Sequence, residues 1–143
     1  MDKISRDART ANMRAIKSRD TKPEIIVRRL AHRLGYRFRL HRKDLPGKPD
    51  LVFVARRKAI FVHGCFWHQH PDDRCLDGRL PRTRLEYWEP KLTRNQERDT
   101  EAVRQLENLG WSVLIIWECE TKDLHELETR LKEFLERPID HRT

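Results

Sequence analysis

Three short runs of β-branched and aromatic residues constrain this chain more than any other feature: Asp50-Leu51-Val52-Phe53-Val54, Ala59-Ile60-Phe61-Val62-His63, and Trp111 through Trp117. Each is short, apolar and rich in strand formers, so each reads as a buried strand. Ala55-Arg56-Arg57-Lys58 separates the first two at hairpin distance, which makes them paired central strands. The third follows a long helical stretch and can return beside the hairpin, so the sheet should be mixed, with helices covering its faces.

The remaining periodicities supply those helices. Thr21-Lys22-Pro23-Glu24 fits a capping box, with Thr21 accepting from the backbone of Glu24 and Glu24 reaching back, and Pro23 sits where the first turn needs no donor. Behind it Ile26, Val27, Leu30, Ala31 and Leu34 recur at helical spacing until Gly35 offers a left-handed stop. Thr93-Arg94-Asn95-Gln96 predicts a second helix start, running to Leu109 and ended by Gly110, with Leu92, Val103 and Leu106 on its inward stripe. Asn95 and Asp99 fall on the same stripe. Leu124, Leu127, Leu131, Phe134 and Leu135 mark a closing amphipathic helix, and Tyr36, Phe38 and Leu40 alternate with Arg37 and Arg39 as a half-buried strand. The expected order is αβββαβα: an α/β fold with a mixed central sheet flanked by helices.

At 143 residues the chain can bury one core, so residues 21–143 form one domain behind a basic N-terminal arm, residues 1–20, that carries Lys3, Arg6, Arg9, Arg14, Lys17 and Arg19. Lys and Arg number 31 against 23 Asp and Glu, a formal charge of +8, which favours a polyanionic partner such as nucleic acid. No apolar run approaches the ~18 residues of a membrane span, and the opening Met1-Asp2-Lys3-Ile4-Ser5-Arg6 lacks the apolar stretch of a signal peptide. A cytosolic protein without membrane contact is expected. Three cysteines make a poor disulfide framework there, leaving metal ligation or burial.

The long connection from Gly64 to Pro90 is dense in His, Cys, Trp and Arg, and loops of that length usually carry function. Cys65-x4-His70-x4-Cys75 together with Cys119 makes three thiolates and one imidazole, the closed set structural zinc prefers; plain burial is the competing role for Cys119. His63 and His68 are then left over at the end of a strand whose neighbour begins with Asp50. A carboxylate there suits a hard cation such as Mg²⁺, and a histidine suits proton removal from water near neutral pH. Asp99 can hold one ring nitrogen of His68 and fix its tautomer. Phe66, Trp67, Tyr87 and Trp88, interleaved with Arg74, Arg79, Arg82, Arg84 and Lys91, can meet bases while the cations hold phosphates, or form a core cluster.

The ordered motifs Asn12-Met13-Arg14-Ala15-Ile16, Leu45-Pro46-Gly47-Lys48-Pro49-Asp50, His63-Gly64-Cys65-Phe66-Trp67-His68, Thr83-Arg84-Leu85-Glu86-Tyr87-Trp88 and Asn95-Gln96-Glu97-Arg98-Asp99 resemble those of the very short patch repair endonucleases from about residue 10 to residue 119. The resemblance implies a type II restriction-endonuclease-like fold, a structural zinc, and Mg²⁺-dependent nicking of double-stranded DNA 5′ of the thymine in a T·G mismatch, the lesion left by deaminated 5-methylcytosine. It implies Asp50 as the magnesium carboxylate with the Val62 carbonyl as second ligand, and His68 as general base paired with Asp99. His63 and Glu24 become further members of the catalytic site. Phe66, Trp67 and Trp88 become a wedge on the major-groove side, with Met13 approaching from the minor groove, and Cys65, His70, Cys75 and Cys119 the zinc ligands. Restriction-type nucleases usually carry an acidic-x-Lys pair on the second strand; here Phe61-Val62-His63 stands there, which calls for histidine chemistry. The interval Pro71-Asp72-Asp73-Arg74 leaves Asp72 and Asp73 as alternative zinc donors. A monomer is expected, with a mismatch-repair protein as candidate recruiting partner. Two other readings stand beside the endonuclease: a zinc-stapled DNA-binding module without catalysis, and a related nuclease with another target.

Overall fold

The computed structural model describes residues 20–71, 75 and 83–138. The arm up to residue 19, with Met13, lies outside the described residues, as do Asp72 and Asp73.

Helix α1 spans Lys22–Arg33, and strands β1 (Arg39–Leu40), β2 (Leu51–Phe53) and β3 (Lys58–His63) follow. Helix α2 (Leu85–Asn108), strand β4 (Ser112–Trp117) and helix α3 (Leu124–Glu136) complete the order. The four strands form one mixed sheet in the order β1-β2-β3-β4, antiparallel except for the parallel β3·β4 pair. The expected αβββαβα order and mixed sheet are therefore both present.

One side of the hairpin meets Val27, Leu30 and Ala31 of α1 and Leu127, Leu131, Phe134 and Leu135 of α3 in the larger core. On the other, Phe61 packs with Ala102 and Leu106 of α2. Both glycine stops close Schellman motifs, the six-residue and inner carbonyl bonds that satisfy a helix's last acceptors. At Gly35 (φ 90°) the N–H groups of Gly35 and Tyr36 donate to His32 and Ala31; at Gly110 (φ 91°) those of Gly110 and Trp111 donate to Glu107 and Leu106. At the C-terminal end of α3 the buried Lys58 ammonium donates to the carbonyls of Phe134, Leu135 and Arg137, a cation placed against the negative end of the helix dipole.

Three local expectations change. The alternation at Tyr36, Phe38 and Leu40 yields a strand of only two residues, because Tyr36 and Phe38 are held instead by edge-on packing against Phe53 at 6.5 and 5.7 Å. Thr93 does not cap a helix: α2 begins at Leu85, and Pro90 lies inside it. Pro90 costs one ladder bond, and Trp88 and Lys91 on that first stretch gain ring contacts with the loop at Trp67. Finally, Glu24 reaches back one residue further than a capping box, to the N–H of Asp20 at 3.1 Å, while Thr21 accepts from Glu24 N–H as expected.

Candidate active site

The loop Leu45–Pro49 delivers Asp50. Lys48 N–H bonds Leu45 O at 3.1 Å, and Gly47 sits at φ 73°, pressed so close to α2 that a Cβ there would stand 2.5 Å from Ala102 Cβ. Only glycine fits this turn against its neighbour. Asp50 then enters β2 with one carboxylate oxygen accepting from Val62 N–H of β3 at 2.7 Å. Burial pushes the Asp50 carboxyl up to about 8, with Glu24 opposite adding to the rise while Val62 N–H and Arg28 oppose it. A partly buried carboxylate facing a second acid is a donor set that a hard divalent cation relieves, so Asp50 fits the magnesium role.

His63 ends β3 and is buried; its neighbour across the parallel pair is Trp117. The chain turns back through Gly64–Gln69, and this brings the His68 ring onto the His63 ring, stacked at 3.9 Å and 7°. From α2, Asp99 Oδ2 meets His68 Nδ1 at 2.5 Å, and Asn95 donates to Trp67 O at 3.1 Å. The bond at Nδ1 leaves Nε2 of His68 as the basic nitrogen. Burial drops His63 to about 4, with His68 pushing the same way and Asp99 opposing, so His63 is neutral beside it. Asp50, Val62, His63, His68 and Asp99 all line one cavity of about 830 Å³, rimmed by Lys43, Lys48 and Arg98.

The second constellation lies past the ends of the same two strands. Because β3 and β4 run parallel in register, with His63 opposite Trp117, the residues two beyond each end, Cys65 and Cys119, come together. His70 Nδ1 lies 3.8 Å from Cys65 Sγ and 3.4 Å from Cys119 Sγ, and with Cys75 the four donor atoms lie within 4.8 Å of one another. Tetrahedral zinc with arms of about 2.0–2.3 Å has donor separations of about 3.5–3.8 Å, so the set fits that ion. Burial pushes the Cys65 thiol up to about 12, and its bonds to Cys75 and Cys119 add to that. Three crowded thiols become thiolates only beside a cation.

Phe66, Trp67 and Trp88 form an edge-to-face trio with centroids 5.3, 5.3 and 5.8 Å apart, and Lys91 Nζ stands within 6.0 Å of Trp67, Tyr87 and Trp88. All three rings are partly exposed, which sets them apart from core aromatics such as Phe53.

The family model described as DNA mismatch endonuclease Vsr matches residues 1–74. The chain belongs to the Vsr family. It is 43% identical over 132 residues to the DNA mismatch endonuclease Vsr of Escherichia coli strain K12, covering 92% of this chain and 83% of that protein. It is 50% identical over 135 residues to the type II nicking enzyme V.XorIIP of Xanthomonas oryzae pv. oryzae, covering 94% and 97%, and 38% identical over 122 residues to V.NmeAIP of Neisseria meningitidis, covering 85% of each.

In this Vsr-family chain the structure brings together every described residue expected at the cleft: Glu24, Asp50, Val62, His63, His68 and Asp99. It adds two that the motifs did not single out. Arg28 pairs with Glu24 and with Asp20 Oδ1, and His41 Nε2 lies 3.0 Å from Glu24 Oε2. Arg28 was legible as a charge four residues after Glu24 on one helix face. His41 carried no local signal, since it joins the cluster by pairing with Asp50 across the sheet edge. Among the described residues, no helix is long and apolar enough to cross a membrane.

Proposed function

We propose that this chain is a DNA mismatch endonuclease that nicks double-stranded DNA on the 5′ side of the thymine in a T·G mismatch by Mg²⁺-dependent hydrolysis, on a restriction-endonuclease-like fold braced by zinc. The observation that carries the reading is the His68–Asp99 pair facing Asp50 across one cavity with a basic rim.

His68 Nε2 takes a proton from the attacking water as the water oxygen bonds to phosphorus and the sugar oxygen leaves. Asp99 holds the opposite ring nitrogen and stabilises the imidazolium that forms. His63, kept neutral by burial, flanks that ring without adding a competing charge. Asp50 and the Val62 carbonyl would hold the magnesium, which when bound supplies Lewis-acid stabilisation of charge on the phosphate. Cys65, His70, Cys75 and Cys119 would hold zinc and so fix the turn that presents His68. Phe66, Trp67 and Trp88 wedge beside the mismatch: a poorly stacked T·G pair costs less to open than a matched pair, so deformability is read as selectivity. The sequence relatives named as a mismatch endonuclease and as nicking enzymes support the reaction class.

The test is a nicking assay with and without Mg²⁺ on a panel of duplexes covering every mismatch and the matched pairs. Cleavage confined to T·G, at the thymine strand and with the metal, is the expected result. Binding without any cleavage would turn the reading into a DNA-binding module, and cleavage at a matched sequence would make it a nuclease of another target.

A further inference from the structure

Helix α1 has two working sides. Glu24 turns toward Asp50 of the cleft, while the far side of the helix borders a second cavity of about 780 Å³. At about 100° per residue, Lys22, Ile26, Arg29 and Arg33 stand roughly 140–200° round the helix from Glu24. The facing wall is the 3₁₀ turn Glu118–Lys122 together with Leu124, the first residue of α3. That wall is fastened from within. Thr121 Oγ1 donates to Glu118 O at 2.7 Å, Glu120 accepts from Trp117 N–H at 2.8 Å and pairs with Arg130, and Asp123 caps α3 by accepting from Glu126 N–H at 3.1 Å. The groove is therefore preformed.

Its floor is apolar: Pro23, Ile26 and Leu30 from one wall meet Leu124 from the other, and Leu124 is 50% exposed. Thr121 adds a hydroxyl, but Glu118 O already takes it. Four exposed cations, Lys22, Arg29, Arg33 and Lys122, stand round this floor against one carboxylate, Glu118. Among the described residues Arg29, Arg33 and Lys122 form no ion pair. Such a surface calls for apolar side chains accompanied by carboxylates. Residues 1–19 are the wrong charge for it, with six Lys and Arg against two Asp, and so is a second copy at +8. A duplex would bring phosphates but no apolar side chain for Ile26 and Leu124.

We propose that the groove between α1 and the turn before α3 docks an acidic amphipathic helix of a partner protein. Apolar side chains three or four residues apart on that helix seat on Ile26 and Leu124, and its carboxylates meet Lys22, Arg29, Arg33 and Lys122. From Lys22 to Arg33 the groove runs about 16 Å, the length of three helical turns. The docked helix lies behind α1 and leaves the cleft open, so the inference holds whatever the cleft does.

The probe is a phage-displayed library of random peptides of about 16 residues, long enough for those turns, selected on the full chain. Enriched peptides are then titrated by fluorescence anisotropy. They should be acidic, with apolar residues at helical spacing, and should bind less tightly as salt rises. Arg29→Glu combined with Lys122→Glu, one charge from each wall, should weaken binding ~10-fold or more. Leu124→Ala should weaken it by about tenfold, the worth of one buried leucine. Leu109→Ala, which removes a leucine equally exposed at 54% but outside the groove, should change nothing. A short matched duplex should leave the peptide in place. Neutral or basic peptides, or no enrichment at all, would overturn the inference, as would affinity that survives Leu124→Ala. Displacement by the duplex would give the groove to DNA, and a wild-type dimer in sedimentation that Leu124→Ala dissociates would give it to a second copy; either result overturns the inference. Should the doubly charge-reversed chain not fold, the contrast between Leu124→Ala and Leu109→Ala decides alone.

Discussion

The cysteine–histidine cluster and the cleft at Asp50 and His68 are built from the same turn and are arranged in opposite ways. Cys65 and His70 look one way, into a set of soft donors gathered from three chain segments. His68, between them in sequence, looks the other way, into an open cavity of oxygen and nitrogen donors. Trp117 stands between the two sites, stacked on His70 at 4.4 Å and edge-on to His63 at 5.2 Å. The closed cluster turns its four donors on one another, whereas His68 and Asp50 line an open cavity. A half-buried turn pinned at Cys65 and His70 thereby brings a histidine into one cavity with a carboxylate from a different strand.

That contrast is tested most severely by stripping the closed cluster. Structural zinc contributes about 10 kcal/mol or more of apparent binding free energy to folding. Elemental analysis should find one zinc per chain, and Cys119→Ser should lose it together with a large fall in Tm and all nicking. A Cys119→Ser protein with unchanged Tm would make the cluster ordinary core.

The open site should respond in the reverse sense. His68→Ala is expected to lower nicking ~10²–10⁴-fold with Tm and zinc content unchanged, since it removes a general base and not a brace. Single-turnover rates on a mismatched duplex check this, and near-normal cleavage would remove the base assignment.

A pH series separates the two regions again. His63 is held near 4 in the folded chain against about 6.5 unfolded, so between those values the unfolded state binds the extra proton. The His63 contribution is intact above about 6.5 and is lost as pH falls to about 4, a difference of roughly 3 kcal/mol. Urea melts of wild type and His63→Phe across that window should diverge, with the variant showing the flatter profile. Parallel profiles would mean that His63 is not buried in neutral form.

The smallest effect is expected at the aromatic tip. Trp67→Ala should reduce the preference for mismatched over matched duplex by ~10-fold, about the value of one stacked base, while zinc binding and Tm stay put. Equal loss on both duplexes would assign Trp67 to general binding.

Much of the architecture was legible because its causes are local. Thr21, Gly35 and Gly110 end or begin helices through bonds to residues a few positions away, and the β2–β3 hairpin closes over four residues. The Asn95/Asp99 stripe followed from helical spacing alone. Thr93 shows the limit: its capping pattern is real as sequence, but ring contacts made by Trp88 and Lys91 with a distant loop extend α2 back through Pro90 to Leu85. Tyr36 and Phe38 show it too, since edge-on contact with Phe53 replaces strand pairing.

Residue chemistry and local periodicity together determined which donors the chain owns, which segments are strands and helices, and which end of each strand carries histidine or cysteine. Tertiary structure alone decided that β4 lies parallel and in register beside β3, bringing Cys119 to Cys65 and Trp117 to His63, and that Arg28 and His41 close on Glu24. The physical reason is range. Caps, turns and periods are settled by neighbours along the chain, whereas strand order and register depend on which apolar faces can be buried together.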